Sequence, residues 1–436
     1  MVSRQAARLL ADTPAIADAH FRAEAEPYDP DTRPDGYLNL GTAENRLLWD
    51  LLRDRLAALP PMTEQAARYA PLHGTAVLRE RVATLLSTTC RTVLDPDDLV
   101  VISGATGALD AIASVLCDPG EAIVVPAPYY GAFDTDLGGR SGARILPAPL
   151  SPTDGFRLAP AAVDRTLREA RTAGITVRAV AVSSPSNPIG ETHPPQTLAA
   201  LLRVARAHDV DLISDEIYAH STFGDREFTS AADPAVNRHW AHRTHVVWGF
   251  AKDFALPGLK TGVLHTRDPQ VRSAGRAMAY FAPVSTATQN TLAELLSDPA
   301  WTAAFLVEGR RRLASSYARL CSLLDEHGIP YAPADAGFSV WLDLRAWLPG
   351  SGFDAEQRLW AALFETTRVS ILPGGAFGSP EPGWFRLCHA VDATLVTEAV
   401  RRLAAHLSAP SPSPSSPPSP SSPSSHSSPS PNGSRP

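Results

Sequence analysis

Four positions that could do chemistry follow apolar runs that are typical of buried strands: Gly104, Asn187, Asp215 and Lys252. In a doubly wound sheet the carboxyl ends of the strands line one edge, so these positions are expected to converge on one pocket. A lysine amine that is partly desolvated there can lose its proton and form a Schiff base with an aldehyde. The pattern therefore predicts a site for an aldehyde cofactor, built around Lys252.

Residues beside these positions could complete the pocket, although each also has an ordinary structural role. Ala105 and Thr106 open a predicted helix, where free backbone N–H groups and a hydroxyl can hold a phosphate. Tyr129 and Tyr130 either cover a flat ring or simply pack against their neighbours. Asp215 either caps the next turn or faces a protonated ring nitrogen.

Two further charged positions indicate recognition of a substrate. Arg386 is embedded in apolar sequence, and an arginine in that setting usually holds a carboxylate. Glu44 and Asn45 stand where a short strand-like segment gives way to a helical pattern. Without further context, this acid and amide are more typical of a helix N-cap than of a binding site.

Predicted strands and helices, which must position these residues, alternate along the chain. Residues 46–290 read as a large domain with a mainly parallel sheet between helices, and residues 291–407 as a long helix followed by a smaller α/β domain. Residues 1–45 are predicted to form an N-terminal arm and part of the small domain. Residues 408–436 form a Ser/Pro-rich tail that is predicted to be disordered.

The composition excludes several classes of partner. A chain of 436 residues is long enough for two packed domains, and its net charge of −7 argues against nucleic acid or an anionic membrane as the main partner. The four cysteines lack the paired spacing of a zinc site or a disulfide framework. Since no apolar run is long enough to span a membrane and the N-terminus is too polar for a secretory signal, a cytoplasmic protein is expected.

The ordered segments GAT, PYY, SNPIG, DEIYA, AKDFALPGLK and WFR resemble the fold-type I pyridoxal-phosphate enzymes of the aspartate aminotransferase superfamily. Within it, the segments GYLNLGTAENRL, PYYGAFDTDL and EPGWFRLC resemble the 1-aminocyclopropane-1-carboxylate (ACC) synthases. The resemblance covers about residues 20–407. It implies pyridoxal 5′-phosphate as cofactor and a homodimer with its pockets at the subunit interface.

The resemblance also implies a role for each residue around the cofactor ring. Lys252 would bind the cofactor aldehyde and, once released, remove the substrate α-proton. Asp215 would pair with the pyridinium nitrogen, so that the ring can accept electrons. Asn187 and Tyr218 would hydrogen-bond the phenolic oxygen of the ring, and Tyr130 would stack on its face.

At the two ends of the cofactor, the resemblance implies phosphate and substrate contacts. Ala105, Thr106 and Lys260 would hold the phosphate, and Tyr69 would reach it across the dimer interface. Arg386 would clamp the substrate α-carboxylate, close to Asn187 and Tyr130. Glu44 would lie beside the sulfonium of S-adenosyl-L-methionine. The attraction between a positive sulfur and a partly buried carboxylate is worth roughly a few kcal/mol.

Four positions depart from the pattern of the family. The lysine usually stands in SLSK, whereas here Gly249 and Ala251 replace both serines. The arginine expected eight residues later is Lys260, which provides a point charge without a planar fork. Arg46 replaces a glutamine beside Glu44. Cofactor binding is expected to survive with a weaker grip on the phosphate.

The predicted reaction is removal of the α-proton of S-adenosylmethionine and loss of methylthioadenosine from Cγ. The four-carbon unit would then cyclise, or a second substrate such as a nicotinamide nucleotide would capture it by γ-substitution or annulation in specialised metabolism. An ordinary class I/II aminotransferase is the alternative, because Lys252, Asp215 and Arg386 would serve it equally. A non-catalytic scaffold with the same fold is a third hypothesis, encouraged by the missing phosphate ligands.

Overall fold

The computed structural model describes residues 15–408 and, before them, residues 2–3 and 6–7. From residue 409 onward, the predicted Ser/Pro tail lies outside the described residues. Among the helices of the described residues, none combines the length and the apolar composition that crossing a bilayer requires.

Within the described residues, the larger sheet has seven strands in the order β2-β8-β7-β6-β5-β3-β4. They are β2 (Leu99–Ser103), β3 (Ala122–Ala127), β4 (Arg144–Pro149), β5 (Val177–Ser183), β6 (Asp211–Asp215), β7 (Thr244–Gly249) and β8 (Thr261–Thr266). Only β8 runs against its neighbours, so the predicted mainly parallel sheet is confirmed.

Helices cover this sheet, and others build the rest of the molecule. In chain order they are α1 (Ala15–Ala25), α2 (Trp49–Ala57), α3 (Ala76–Thr89), α4 (Gly104–Leu116), α5 (Phe133–Gly138), α6 (Pro160–Thr172), α7 (Pro195–Ala207), α8 (Phe250–Asp253), α9 (Pro269–Met278), α10 (Thr286–Leu295), α11 (Pro299–Glu326), α12 (Phe353–Thr367) and α13 (Ala393–Ser408). Because helices lie on both faces of the sheet, its central strands are buried on both sides, which explains the apolar runs in β3 and β7.

A second, four-stranded sheet is formed by the C-terminal part of the chain. Its order is β12-β13-β10-β9, with antiparallel pairing throughout. The strands are β9 (Tyr331–Ala332), β10 (Ser339–Asp343), β12 (Leu372–Pro373) and β13 (Trp384–Cys388). Arg386 lies in the middle of β13, opposite Trp341 of β10, as the apolar sequence around it suggests.

The N-terminal segment is attached to the C-terminal part rather than to the residues that follow it in sequence. Strand β1 (Leu38–Asn39) pairs in parallel with β11 (Val369–Ser370). Ala19, Ala23 and Leu38 share one core with residues of α11, α12 and α13. This arrangement agrees with an N-terminal arm that joins the small domain, although the predicted domain boundaries themselves stay a prediction.

Candidate active site

A cavity of about 720 Å³ opens at the edge of the larger sheet where β5, β6 and β7 end. Its volume lies within the roughly 300–1,000 Å³ range of small-molecule sites. Nine of the predicted site residues line it: Ala105, Thr106, Tyr130, Asn187, Asp215, Tyr218, Lys252, Lys260 and Arg386. The convergence expected from the strand ends is therefore what the structure shows.

The reversed direction of β8 explains how Lys260 joins this group. Strands β5, β6 and β7 bring their last residues to the cavity edge, whereas β8 runs the opposite way and brings its first. Lys260 precedes Thr261, the first residue of β8, and has a left-handed backbone conformation with φ of 45°. Lys260 and Lys252, the two lysines of the sequence, therefore both lie in the cavity wall.

Lys252 lies in the short helix α8, directly after β7. Its Nζ donates a hydrogen bond to the carbonyl oxygen of Ala43 at 2.5 Å. Burial lowers the pKa of Lys252 to about 8, with the positive charge of Arg386 acting in the same direction and Glu44 opposing it. A substantial fraction of this amine is therefore neutral near pH 8, as attack on an aldehyde carbon requires.

Asp215 ends β6 at the floor of the cavity and is almost fully buried. Burial raises the pKa of its carboxyl to about 7, although a hydrogen bond from the backbone N–H of Ile217 at 3.3 Å favours the carboxylate. A protonated ring nitrogen placed against this carboxyl would stabilise its charged form. Tyr218 is also buried, and burial raises the pKa of its phenol. The phenol therefore stays protonated and can donate a hydrogen bond.

Arg386 is only 4% exposed, and its guanidinium is fixed by three contacts. It donates to Asn187 Oδ1 at 3.0 Å and to the carbonyl oxygen of Gly41 at 2.5 Å, and it lies 4.8 Å from the ring centroid of Phe377. Its Nε is buried and has no hydrogen-bond partner among the described residues. A buried guanidinium with an unused donor fits a ligand carboxylate.

The start of α4 provides the features of a phosphate seat. Gly104 has φ of 76°, a conformation that glycine adopts without strain, and turns the chain from β2 into the helix. Ala105 and Thr106 follow in the first turn, where backbone N–H groups have no partner within the helix. Thr106 Oγ1 donates to Asp136 at 3.1 Å, and burial raises the pKa of this carboxyl to about 6. Asp136 was not among the predicted site residues.

Two predicted site residues are not in the cavity lining of the single chain. Glu44 lies next to Ala43, whose carbonyl contacts Lys252, but its carboxylate is paired with Arg46 Nε at 2.8 Å. Tyr69 is fully exposed on a different surface. Their proposed roles therefore depend on rearrangement of the ion pair for Glu44 and on a second subunit for Tyr69.

Helix α1 forms a wall of the cavity that the sequence did not predict. Ile16, Ala17, His20 and Phe21 line the cavity from one side of this helix. His20 Nδ1 lies 2.8 Å from Thr42 Oγ1, which also contacts Asn39. The only signal in the sequence was a short helical pattern, and its contact with a site built by residues hundreds of positions away has no local signature.

Residues 35–403 match the family model described as aminotransferase class I and II. The chain belongs to this family. It is 35% identical to 1-aminocyclopropane-1-carboxylate synthase 6 of Arabidopsis thaliana, over 88% of this chain and 81% of the relative. It is 36% identical to 1-aminocyclopropane-1-carboxylate synthase 3 of Oryza sativa subsp. japonica, over 87% and 88%. The structure matches aspartate aminotransferase from Thermus thermophilus with a TM-score of 0.78 and 25% identity, covering 93% and 99% of the two chains.

The chain is therefore a pyridoxal-phosphate-dependent enzyme that resembles the ACC synthases. The cavity fits the cofactor chemically, because it combines an amine of lowered pKa, a buried carboxyl and an uncapped helix start. We propose that Lys252 binds the aldehyde, Asp215 faces the ring nitrogen, and Asn187 and Tyr218 bond the ring hydroxyl. Tyr130 would cover the ring.

Proposed function

We propose that this enzyme acts on S-adenosyl-L-methionine and breaks its Cγ–S bond, releasing methylthioadenosine. The observation that carries the proposal is that the Arg386 guanidinium and the Lys252 amine line one cavity, with Glu44 next in sequence to Ala43, whose carbonyl oxygen accepts a hydrogen bond from Lys252. The first recognises an α-carboxylate, the second takes a proton, and the third matches a positive sulfur. The similarity to ACC synthases supports this choice of substrate.

At the amino-acid end of the substrate, Arg386 fixes the α-carboxylate through parallel hydrogen bonds. With the carboxylate held, the Cα–H bond has one orientation relative to Lys252, whose neutral amine removes the proton. The cofactor, when bound, supplies the aldehyde carbon that holds the amino group and the ring that takes up the electrons of the Cα–H bond. Asp215 keeps the ring nitrogen protonated for that purpose.

At the sulfur end, the carboxylate of Glu44 stabilises and orients the sulfonium. Its negative charge opposes the lowering of the Lys252 pKa by burial, which supports a position of Glu44 near the reacting amine. Arg46 forms an ion pair with this carboxylate through its Nε atom. Its Nη2 atom lies 3.4 Å from Oε1 of Glu24. Substrate binding would therefore compete with the Glu44–Arg46 ion pair, which lowers affinity for the sulfonium.

After Cγ–S cleavage, the four-carbon unit has two fates in our proposal. Either Cα closes onto Cγ to give the cyclopropane, or a second substrate such as a nicotinamide nucleotide captures the fragment by γ-substitution or annulation, as in specialised metabolism. Both fates require the contacts described above, so only identification of the product distinguishes cyclisation from capture by a second substrate.

We also propose a cytoplasmic homodimer in which Tyr69 of the partner subunit completes the phosphate site. Supporting this, Met62, Tyr69, Tyr280 and Phe281 are large apolar side chains left exposed by the single chain. The segments around Tyr69 and Thr286 are joined by a hydrogen bond from Thr286 to the carbonyl of Arg68 at 3.3 Å and line one groove. A second copy would cover this surface.

Incubating the holoenzyme with S-adenosylmethionine tests the proposal. Chromatography should show methylthioadenosine, and mass spectrometry should find the four-carbon fragment free, cyclised or joined to an added acceptor. Lys252→Ala should abolish release. If only keto acids form from several amino acids, the enzyme is an aminotransferase, the function that its likeness to the Thermus enzyme favours. If Lys252→Ala retains full biological activity, the scaffold hypothesis replaces both.

A further inference from the structure

The phosphate end of the cavity lacks the two serine hydroxyls expected beside Lys252, and the backbone leaves no room for the first of them. A Cβ added to Gly249 would lie 2.8 Å from the carbonyl oxygen of Thr261 and 3.2 Å from Cα of Gly262. A side chain at position 249 therefore requires β7 and β8 to move apart. If a hydroxyl contacts the cofactor phosphate in this enzyme, it comes from another residue.

Ser103 is a hydroxyl-bearing residue placed to take over this contact. It is the last residue of β2 and the N-cap of α4, and it lies in the cavity wall. An N-cap serine normally accepts a hydrogen bond from the first turn of its helix. Within the part of the chain that the structure describes, the side chain of Ser103 makes no capping hydrogen bond. Both its hydroxyl and the first-turn N–H groups of α4 are thus available to an anion.

The backbone around Ser103 is held in place from two sides. Its N–H donates to the carbonyl oxygen of Ala282 at 2.8 Å, and its Cα is paired with Thr261 of β8. The next turn packs directly on Gly262, where an added Cβ would come within 2.3 Å of the carbonyl carbon of Gly104. A hydroxyl on such a rigid support loses little conformational freedom when it binds a ligand.

We propose that the Ser103 hydroxyl binds the cofactor phosphate and substitutes for the serine missing at position 249. Lys260, which directly precedes β8, the strand paired with β2, supplies the positive charge at the same seat. The role of Ser103 rests on the cofactor dependence of the family and is independent of which amino acid reacts.

Titration of the apoenzyme separates this role from a structural one. Dissociation constants for pyridoxal 5′-phosphate and for pyridoxal, which lacks the phosphate, are measured by absorbance for wild type, Ser103→Ala and Ser103→Thr. Loss of one hydrogen bond to a charged group should weaken binding of the phosphorylated cofactor about tenfold in Ser103→Ala. Binding of pyridoxal should not change, and Ser103→Thr should retain most of the affinity.

Thr261→Val is the matched control, because Thr261 Oγ1 already donates to the carbonyl oxygen of Leu259 at 3.0 Å. It should leave the affinity ratio of the two ligands unchanged. Equal binding of pyridoxal phosphate by wild type and Ser103→Ala would overturn the proposal, as would equal weakening of both ligands. If Ser103→Ala is unstable, Ser103→Gly, which a helix N-cap tolerates, gives the same comparison. A wild-type protein that binds neither ligand would instead refute the cofactor assignment.

Discussion

Replacing Arg386 by lysine and by glutamine would show whether this buried guanidinium is the carboxylate clamp. Lysine keeps the positive charge but loses the planar fork, whereas glutamine loses both. Arg386 donates to Asn187 Oδ1 and to the carbonyl oxygen of Gly41, and its buried Nε has no hydrogen-bond partner among the described residues. The clamp is expected to lose one or two hydrogen bonds between charged groups, each worth about 1.5–3 kcal/mol. That corresponds to a rise in the substrate KM of roughly 10²-fold for Arg386→Lys.

The two variants also differ in their effect on Lys252. The positive charge of Arg386 helps to lower the pKa of the Lys252 amine, because two nearby positive charges disfavour each other. Arg386→Gln should therefore raise that pKa, and Arg386→Lys should leave it nearly unchanged. The rate at which the apoenzyme captures pyridoxal, followed over pH 6–10 by absorbance, reports the neutral fraction of the amine.

The assay combines steady-state kinetics with this pH profile, and circular dichroism of each variant checks the fold. A KM for Arg386→Lys equal to that of wild type would refute the carboxylate clamp. An unshifted pH profile in Arg386→Gln would refute the electrostatic link between Arg386 and Lys252, whatever the kinetics show.

Three further predictions follow from the same contacts. Glu44→Gln should slow methylthioadenosine release by roughly tenfold or more and leave any transamination intact, with Glu24→Gln as the matched control. Arg46→Gln should lower the KM for S-adenosylmethionine, because it frees the Glu44 carboxylate from its ion pair. Unchanged release in Glu44→Gln would argue against Glu44 as the partner of the sulfonium. Pyridoxal capture by the wild-type apoenzyme should rise as the pH passes through about 8 and level off above it, since only the neutral Lys252 amine reacts, and a flat profile would contradict the lowered pKa. Burial raises the pKa of Asp215 to about 7, so its contribution to apoenzyme stability is complete below about pH 4 and lost as the pH rises through 7. Asp215→Asn should therefore be more stable than wild type at pH 8, by about 4 kcal/mol, and should bind the cofactor more weakly. Equal melting temperatures of the two proteins at all pH values would contradict the raised pKa.

The strands that end at the cavity were predictable because they are buried on both faces. The run before Lys252 is continuously apolar from Val246 to Ala251, whereas the runs before Asn187 and Asp215 are mostly apolar. The long helix α11 was equally clear from its length and spacing. For these elements, the local pattern of apolar residues is sufficient to predict the secondary structure.

Other parts of the site depend on contacts between residues far apart in the sequence. Nothing near Lys260 indicates that β8 runs against its neighbours, although this direction brings Lys260 to the cavity. Helix α1 reads as an unremarkable arm, yet His20 lies in the cavity wall. The ion pair between Glu44 and Arg46 depends on the conformations of the two side chains. The sequence therefore showed the positive charge of Arg46 beside Glu44, but not how that charge affects sulfonium binding.

Attachment of the cofactor to Lys252 is the central claim, and borohydride reduction of the holoenzyme tests it most directly. The sequence contains two lysines, so peptide mass analysis after proteolysis has to distinguish a pyridoxyl label on Lys252 from one on Lys260 or on the terminal amine. The mass is predicted on the peptide that contains Lys252, and Lys252→Ala should remove it. A label on Lys260, or on neither lysine, would contradict the proposed site.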